Sequence, residues 1–234
     1  MKPNPTAVRS TRNQYIKWLE YNWWRTRGWK DGFRDMVFWY SAAGAAVLGE
    51  QAAWSMLDDA KKGRKLPMLR QDTWRQAKAL SRIVSVKERT NPVDWFTGGC
   101  GDIDKSWQSL DGVKYIGPKI ASWLMRDLSL MRDYSDGFGG REFRSRSNIN
   151  RSWYKRLPEE TQALFVPVDA RVHDAAKRCG IGGVLKRHGI NKIQIDPDLH
   201  IKAATQIVRW ARNNGYDPRD LDIYWYLTGS GKAE

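Results

Sequence analysis

Two short stretches of this chain carry side chains that can do covalent chemistry. Ile116-Gly117-Pro118-Lys119-Ile120-Ala121-Ser122 reads as a tight, glycine-containing hairpin that opens a helix, with one lysine at its mouth. Phe165-Val166-Pro167-Val168-Asp169-Ala170-Arg171 delivers a single aspartate from an apolar run into the start of another helix. An amine without its proton is a nucleophile, and a carboxylate can stabilise a developing cation. Those are the two groups needed to break an N-glycosidic bond through a covalent intermediate. Each also has a plainer use. Lys119 can be a solvated surface cation, and Asp169 stands where a helix N-cap is favoured, so it can be cap and catalyst at once.

The elements that must position this pair read as helices. Tyr15 to Trp24 carries aromatic and aliphatic residues at helical spacing, and Asp31 to Ala60 continues through Met36, Val37, Tyr40, Ala43, Ala46 and Val47. Lys61 to Pro67 is a basic break. Gln71 to Ser85 follows as a helix with Trp74, Ala77, Leu80, Ile83 and Val84 on one side, and Ile103 to Leu110 as a short one. Pro118 suits the first turn of a helix running to Met131, where no N–H is missed. Asp169 to Cys179, Asp198 to Asn214 and Asp220 to Leu227 complete the set. Alternating strand patterns are scarce, so the expected class is all-α. Residues 1–12, polar with two prolines, read as a loose arm. Residues 133–156, with Arg141, Arg144, Arg146 and Arg151 among glycines and serines, read as a basic insert that is either a solvated loop or a DNA-binding element.

Val113 to Ala121 has the form of two short helices joined by a glycine-containing hairpin. Such a hairpin exposes successive backbone N–H groups beside a helix N-terminus and can hold a phosphate without reading sequence. Lys114, Tyr115, Ile116 and Gly117, together with Arg171, are the candidate DNA contacts. Trp123 lies one turn after Lys119 on the same face, so it either lines a base pocket or fills core.

Composition points to the same partner. A net charge of +14 on 234 residues favours polyanions. No apolar run approaches the length of a spanning helix, and Met1-Lys2-Pro3-Asn4-Pro5 leads into a polar segment, so the expectation is an intracellular protein of the cytoplasm or nucleoid, without a membrane partner. Cys100 and Cys179 are too few for an all-cysteine metal site, and His173, His188 and His200 are scattered, which suits core or surface roles. Thirteen tryptophans supply core area, and one or two can stack on a base.

Gly117-x-Lys119-x-Ala121 followed by Val168-Asp169 resembles the helix–hairpin–helix DNA glycosylase superfamily (HhH-GPD). The resemblance implies a single all-α domain over 1–234, two-lobed, with the active cleft between the lobes. Lys119 falls on the position that marks bifunctional members, which attack the sugar C1′ and then nick the strand by β-elimination. Asp169 falls on the family's catalytic aspartate. The run from Gly117 to Leu128, with Trp123-Leu124-Met125-Arg126-Asp127, is most similar to the 8-oxoguanine branches. Tyr115 stands where the hairpin's first glycine is usual, and Arg171 where a histidine is frequent. The resemblance implies no cofactor, leaves room only for a monovalent cation at the hairpin, and implies a monomer acting on double-stranded DNA. The expected activity is excision of an altered base, such as 8-oxoguanine, by base flipping. Two other readings stay open: a glycosylase for a bulky base such as glycosylated cytosine in phage DNA, and a non-catalytic hairpin that only contacts phosphate. On any of the three, affinity for duplex DNA should fall log-linearly with salt, with a slope set by the phosphates neutralised. Flat affinity from low to physiological salt, read by fluorescence anisotropy, would exclude nucleic acid as the partner.

Overall fold

The computed structural model describes residues 2–24, 29–44, 49–87, 92–96, 102–134 and 153–229. Short polar side chains and prolines set where its helices begin. Asn4 accepts from Thr6 N, Asp102 from Asp104 N, Asp169 from Val172 N, Asp196 from Leu199 N and Asp217 from Arg219 N, each satisfying an N–H that the first turn leaves unpaired. The chain runs through α1 (Pro5–Leu19), a π-helical turn (Glu20–Trp24), α2 (Trp29–Gly44), α3 (Gly49–Lys61), α4 (Met68–Lys87), α5 (Pro92–Phe96), α6 (Ile103–Asp111) and α7 (Pro118–Tyr134). It continues through α8 (Trp153–Arg156), α9 (Glu159–Ala163), α10 (Ala170–Arg178), α11 (Val184–Arg187), α12 (Ile190–Ile195), α13 (Pro197–Asn213) and α14 (Pro218–Thr228). No strand occurs among the described residues, so the all-α expectation holds. None of the helices is long and apolar enough to cross a membrane.

Buried apolar side chains form two clusters. The larger draws on α1 to α7, on Trp153 and Tyr154 of α8, and on Leu164 and Phe165; the smaller draws on Val166 and Val168 and on α10 to α14. Helix α7 is the axis. From Ile120 to Met131 every side chain but Trp123 is buried, because α1, α2, α5, α6, α12 and α13 all pack on it. A helix buried all round holds its first turn in place from several sides, and that turn carries Lys119.

Four expectations are corrected. The arm at 1–12 is helical from Pro5, because a proline at the first helical position misses no hydrogen bond. It is tied down by Arg12 to Asp220 (3.0 Å) and by Tyr216 OH donating to Pro3 O (2.5 Å). The run Asp31 to Ala60 is two helices, α2 ending at Gly44 and α3 starting at Gly49. Ile83 is 46% exposed, since the buried face of α4 passes through Ala77, Leu80 and Val84. The 133–156 insert is narrower than its composition suggests. Asp133 and Tyr134 belong to α7, and Trp153 to Arg156 to α8, where Trp153 Nε1 donates to Asp133 Oδ1 (2.6 Å). Residues 135–152, with Arg141, Arg144, Arg146 and Arg151, lie outside the described residues.

Gly44 sets how closely α2 approaches the Lys119 turn. A Cβ there would overlap the Ile120 side chain. Gly44→Ala should therefore cost about 1–3 kcal/mol and lower the melting temperature by several degrees. Gly112→Ala, whose Cβ would meet only backbone oxygens at 3.7 Å or more, should leave it nearly unchanged. Equal melting of the two variants would refute the close approach.

Candidate active site

The hairpin between α6 and α7 is closed from within. Ile116 N donates to Val113 O (2.9 Å), and Lys114 N donates to Gln76 Oε1 of α4 (2.7 Å). Two of the hairpin's amides are thus committed, and those of Tyr115 and Gly117 have no partner among the described residues. Tyr115 has φ +68°, the left-handed region that a non-glycine occupies at a cost of about 1–3 kcal/mol. It is held there with its ring under the Arg70 guanidinium, 4.3 Å from the centroid. The side chain of Lys114 is only partly free for a phosphate, being 3.4 Å from Asp72. Gly117 carries the first α7 bonds, accepting from Ile120 N and Ala121 N.

Past the hairpin lies a cavity of about 490 Å³, walled by the end of α2, the start of α3, the first turns of α7, the segment 167–172, α12 and α14. Lys119, Trp123, Asp169 and Arg171 all line it. The amine and the carboxylate, far apart in the chain, therefore share one cleft. Burial lowers the pKa of Lys119, while the charge of Asp169 pulls it back up, so the two are within electrostatic reach. Asp169 is the one charged group that acts on the amine in opposition to burial. Asp169 Oδ1 accepts from Val172 N (2.8 Å), which fixes its rotamer as the cap of α10. Cap and cleft-lining roles coexist, as the position of Asp169 allowed.

Trp123 has one edge in each environment. Its Nε1 donates to Tyr15 OH (3.1 Å), its ring packs edge-on to Tyr40 at 4.9 Å, and it also faces the cleft. Arg171 lies over the Tyr226 ring at 4.8 Å.

The cleft floor holds groups whose roles the sequence pattern leaves unmarked: Arg126, Asp222 and Tyr226. Arg126 is 2% exposed. Its Nε donates to Asp127 Oδ1 (2.9 Å), its Nη1 to Asp222 Oδ2, and its Nη2 to Tyr15 OH (2.7 Å). Tyr15 and Tyr40 both donate to the other oxygen of Asp127. Burial pushes the Asp222 carboxyl up to about 7, against the opposing pull of Arg126, and Asp169 and Asp127 raise it further. Its Oδ1 is buried without a hydrogen-bond partner among the described residues. The four-residue spacing of Asp222 and Tyr226 is the only signal in the sequence that puts them on one helix face. Among the described residues no group of His, Cys, Asp and Glu is arranged to hold a metal ion.

Asp222 makes stability depend on pH. An unfolded aspartate loses its proton near 3.9, whereas Asp222 in the folded chain keeps it to about pH 7. Between those values the folded state binds the extra proton, so stability falls as pH rises. Asp222→Asn should remove this part of the fall and narrow the difference in urea midpoint between pH 5 and pH 7.5. Asp220, also raised to about 7, keeps its own share. An unchanged difference would mean that Asp222 is ionised throughout. Comparisons of the chain with family models, with curated proteins and with solved structures found no match.

Proposed function

We propose that this chain is a DNA glycosylase with AP lyase activity, of the helix–hairpin–helix type, in a two-lobed fold. The observation that carries the reading is the meeting of Lys119 and Asp169 in one cleft, with burial lowering the lysine pKa. A non-catalytic hairpin has no use for a half-buried, unpaired amine beside a carboxylate. The cleft is of the size that takes a small molecule or an extruded base.

The chemistry follows from those two groups. A base stacked in a duplex cannot be reached, so the nucleotide is flipped into the cleft. The neutral Lys119 amine attacks C1′; the new N–C1′ bond forms as the glycosidic C–N bond breaks, and the base leaves with the electron pair and takes a proton. Asp169 stabilises the positive charge that develops at C1′. Opening of the sugar ring gives the Schiff base, and loss of a C2′ proton then expels the 3′ phosphate. We take the base to be an oxidised purine such as 8-oxoguanine, received in the cleft beside the aromatic side chains of Trp123 and Tyr226. The substrate is double-stranded DNA, met by the hairpin, by Arg171 and by the arginines of the insert.

Borohydride should crosslink the protein to duplex containing an abasic site, and Lys119→Ala should abolish the crosslink while DNA binding persists. An undiminished crosslink in that variant would sink the assignment. Asp169→Asn keeps a residue that caps helices well and removes only the charge. It should lower single-turnover excision by roughly 100-fold or more with little change in melting temperature. A panel of duplexes, each with one altered base, identifies the substrate.

A further inference from the structure

Lys119 and Asp169 sit on different elements, so their spacing depends on what joins those elements behind the cleft. The joint is His200 on α13, which is fully buried. Its Nε2 lies 3.1 Å from Ser122 Oγ, one turn along α7 from Lys119. Trp107 Nε1 of α6, which can only donate, approaches the same oxygen at 3.0 Å. The Ser122 hydroxyl is then free to donate to Nε2, and the proton of the neutral imidazole belongs on Nδ1. Nδ1 is buried without a hydrogen-bond partner among the described residues, and the carbonyls of Val166 and Ile193 act on the ring only by favouring its charged form; both residues share the smaller apolar cluster with Ala203 and Ala204 of α13. Val166 belongs to the run that ends at Asp169, and Ile193 precedes Gln194 of the cleft wall. Burial holds the ring neutral, lowering its pKa to about 4 against the pull of those carbonyls, and the charge of Lys119 acts in the same direction as burial.

We propose that His200 is a positioning residue for the reaction assigned above, tying Ser122 on the Lys119 helix to α13, whose Ala203 and Ala204 share the smaller apolar cluster with Val166 and Val168 just before Asp169, and so setting the spacing of amine and carboxylate. The inference rests on the lyase reading. An apolar side chain would fill the same volume, but it would leave the Ser122 hydroxyl without its acceptor. Catalytic groups displaced by about 1 Å lose roughly 100-fold in rate, so a small relaxation of this joint is visible in the chemistry before it is visible in the fold.

The test is the rate of borohydride trapping on saturating abasic-site duplex, measured under single-turnover conditions. His200→Leu should trap about 10- to 100-fold more slowly, with DNA affinity within about two-fold of wild type and an unchanged circular dichroism spectrum. His200→Gln, whose amide oxygen can accept from Ser122, should recover most of the rate. Ser122→Ala breaks the same link from α7, and its loss should not add to that of His200→Leu in the double variant. It also keeps the question open to measurement if His200→Leu does not fold. Wild-type trapping rates in folded His200→Leu or Ser122→Ala, or a glutamine variant as slow as the leucine one, would overturn the role of His200 alone. A wild-type protein that binds the duplex but forms no crosslink would overturn the lyase reading, and the role of His200 with it.

Discussion

The buried guanidinium of Arg126 is the constraint on which the rest of the structure turns. An ion taken out of water costs several kcal/mol unless charge and hydrogen bonds replace the lost hydration. The replacements come from across the chain: Asp127 beside it on α7, Asp222 on α14 and Tyr15 on α1, with Tyr40 of α2 bonded in turn to Asp127. The first and last helices must therefore close around the middle one before this charge is satisfied. Arg126 and Asp222 also line the cleft, so the same closure that satisfies the charge builds the cleft floor. Loss of one partner would strand the other in the interior, which makes the pairing specific even where its net contribution to stability is small.

A second network repeats the device at the far end of α7. Arg219 reaches Asp133 and Asp217, both at 2.8 Å, and lies over Tyr154, while Arg12 reaches Asp220. Three carboxylates there face two arginines. The excess is relieved by protonation, and burial, with Asp217 beside it, pushes Asp220 up to about 7. Together the two networks pin α7 two turns after Lys119 and at its C-terminal end. The helix between them is packed on all sides, so the lysine turn has little freedom to drift.

The cleft works by contrast with these ion-paired interiors. Lys119 is partly buried with no ion pair, so burial acts on its pKa with only Asp169 in opposition. Asp169 spends one carboxylate oxygen on the α10 cap and so keeps its orientation. An amine pushed toward neutrality and a carboxylate held in a fixed rotamer are complementary demands. They are met because one group sits on a helix floor and the other at a helix mouth.

Much of this was readable from residue types and spacing. The helical period, the Asp and Asn caps and the prolines at first turns located α4, α6, α7, α10, α13 and α14 to within a few residues, because those signals act through the backbone of the next few positions. The hairpin and its lysine, and the aspartate at a helix start, were legible for the same reason. The arm at 1–12 was misread because proline breaks a helix interior but not a first turn, and the bounds of the insert because Asp133 and Trp153 become partners only in space. Arg126, Asp222, Tyr226 and His200 carried no local signal of the roles they take in the fold. An arginine becomes a buried clamp, an aspartate keeps its proton toward pH 7 and a histidine becomes a joint only when helices distant in sequence exclude water around them. The sequence by itself determined most of the helices and marked Lys119 and Asp169 as the pair suited to the proposed chemistry. Tertiary packing decided that the two share a cleft and what charge states that cleft imposes, because desolvation depends on neighbours that no local spacing encodes.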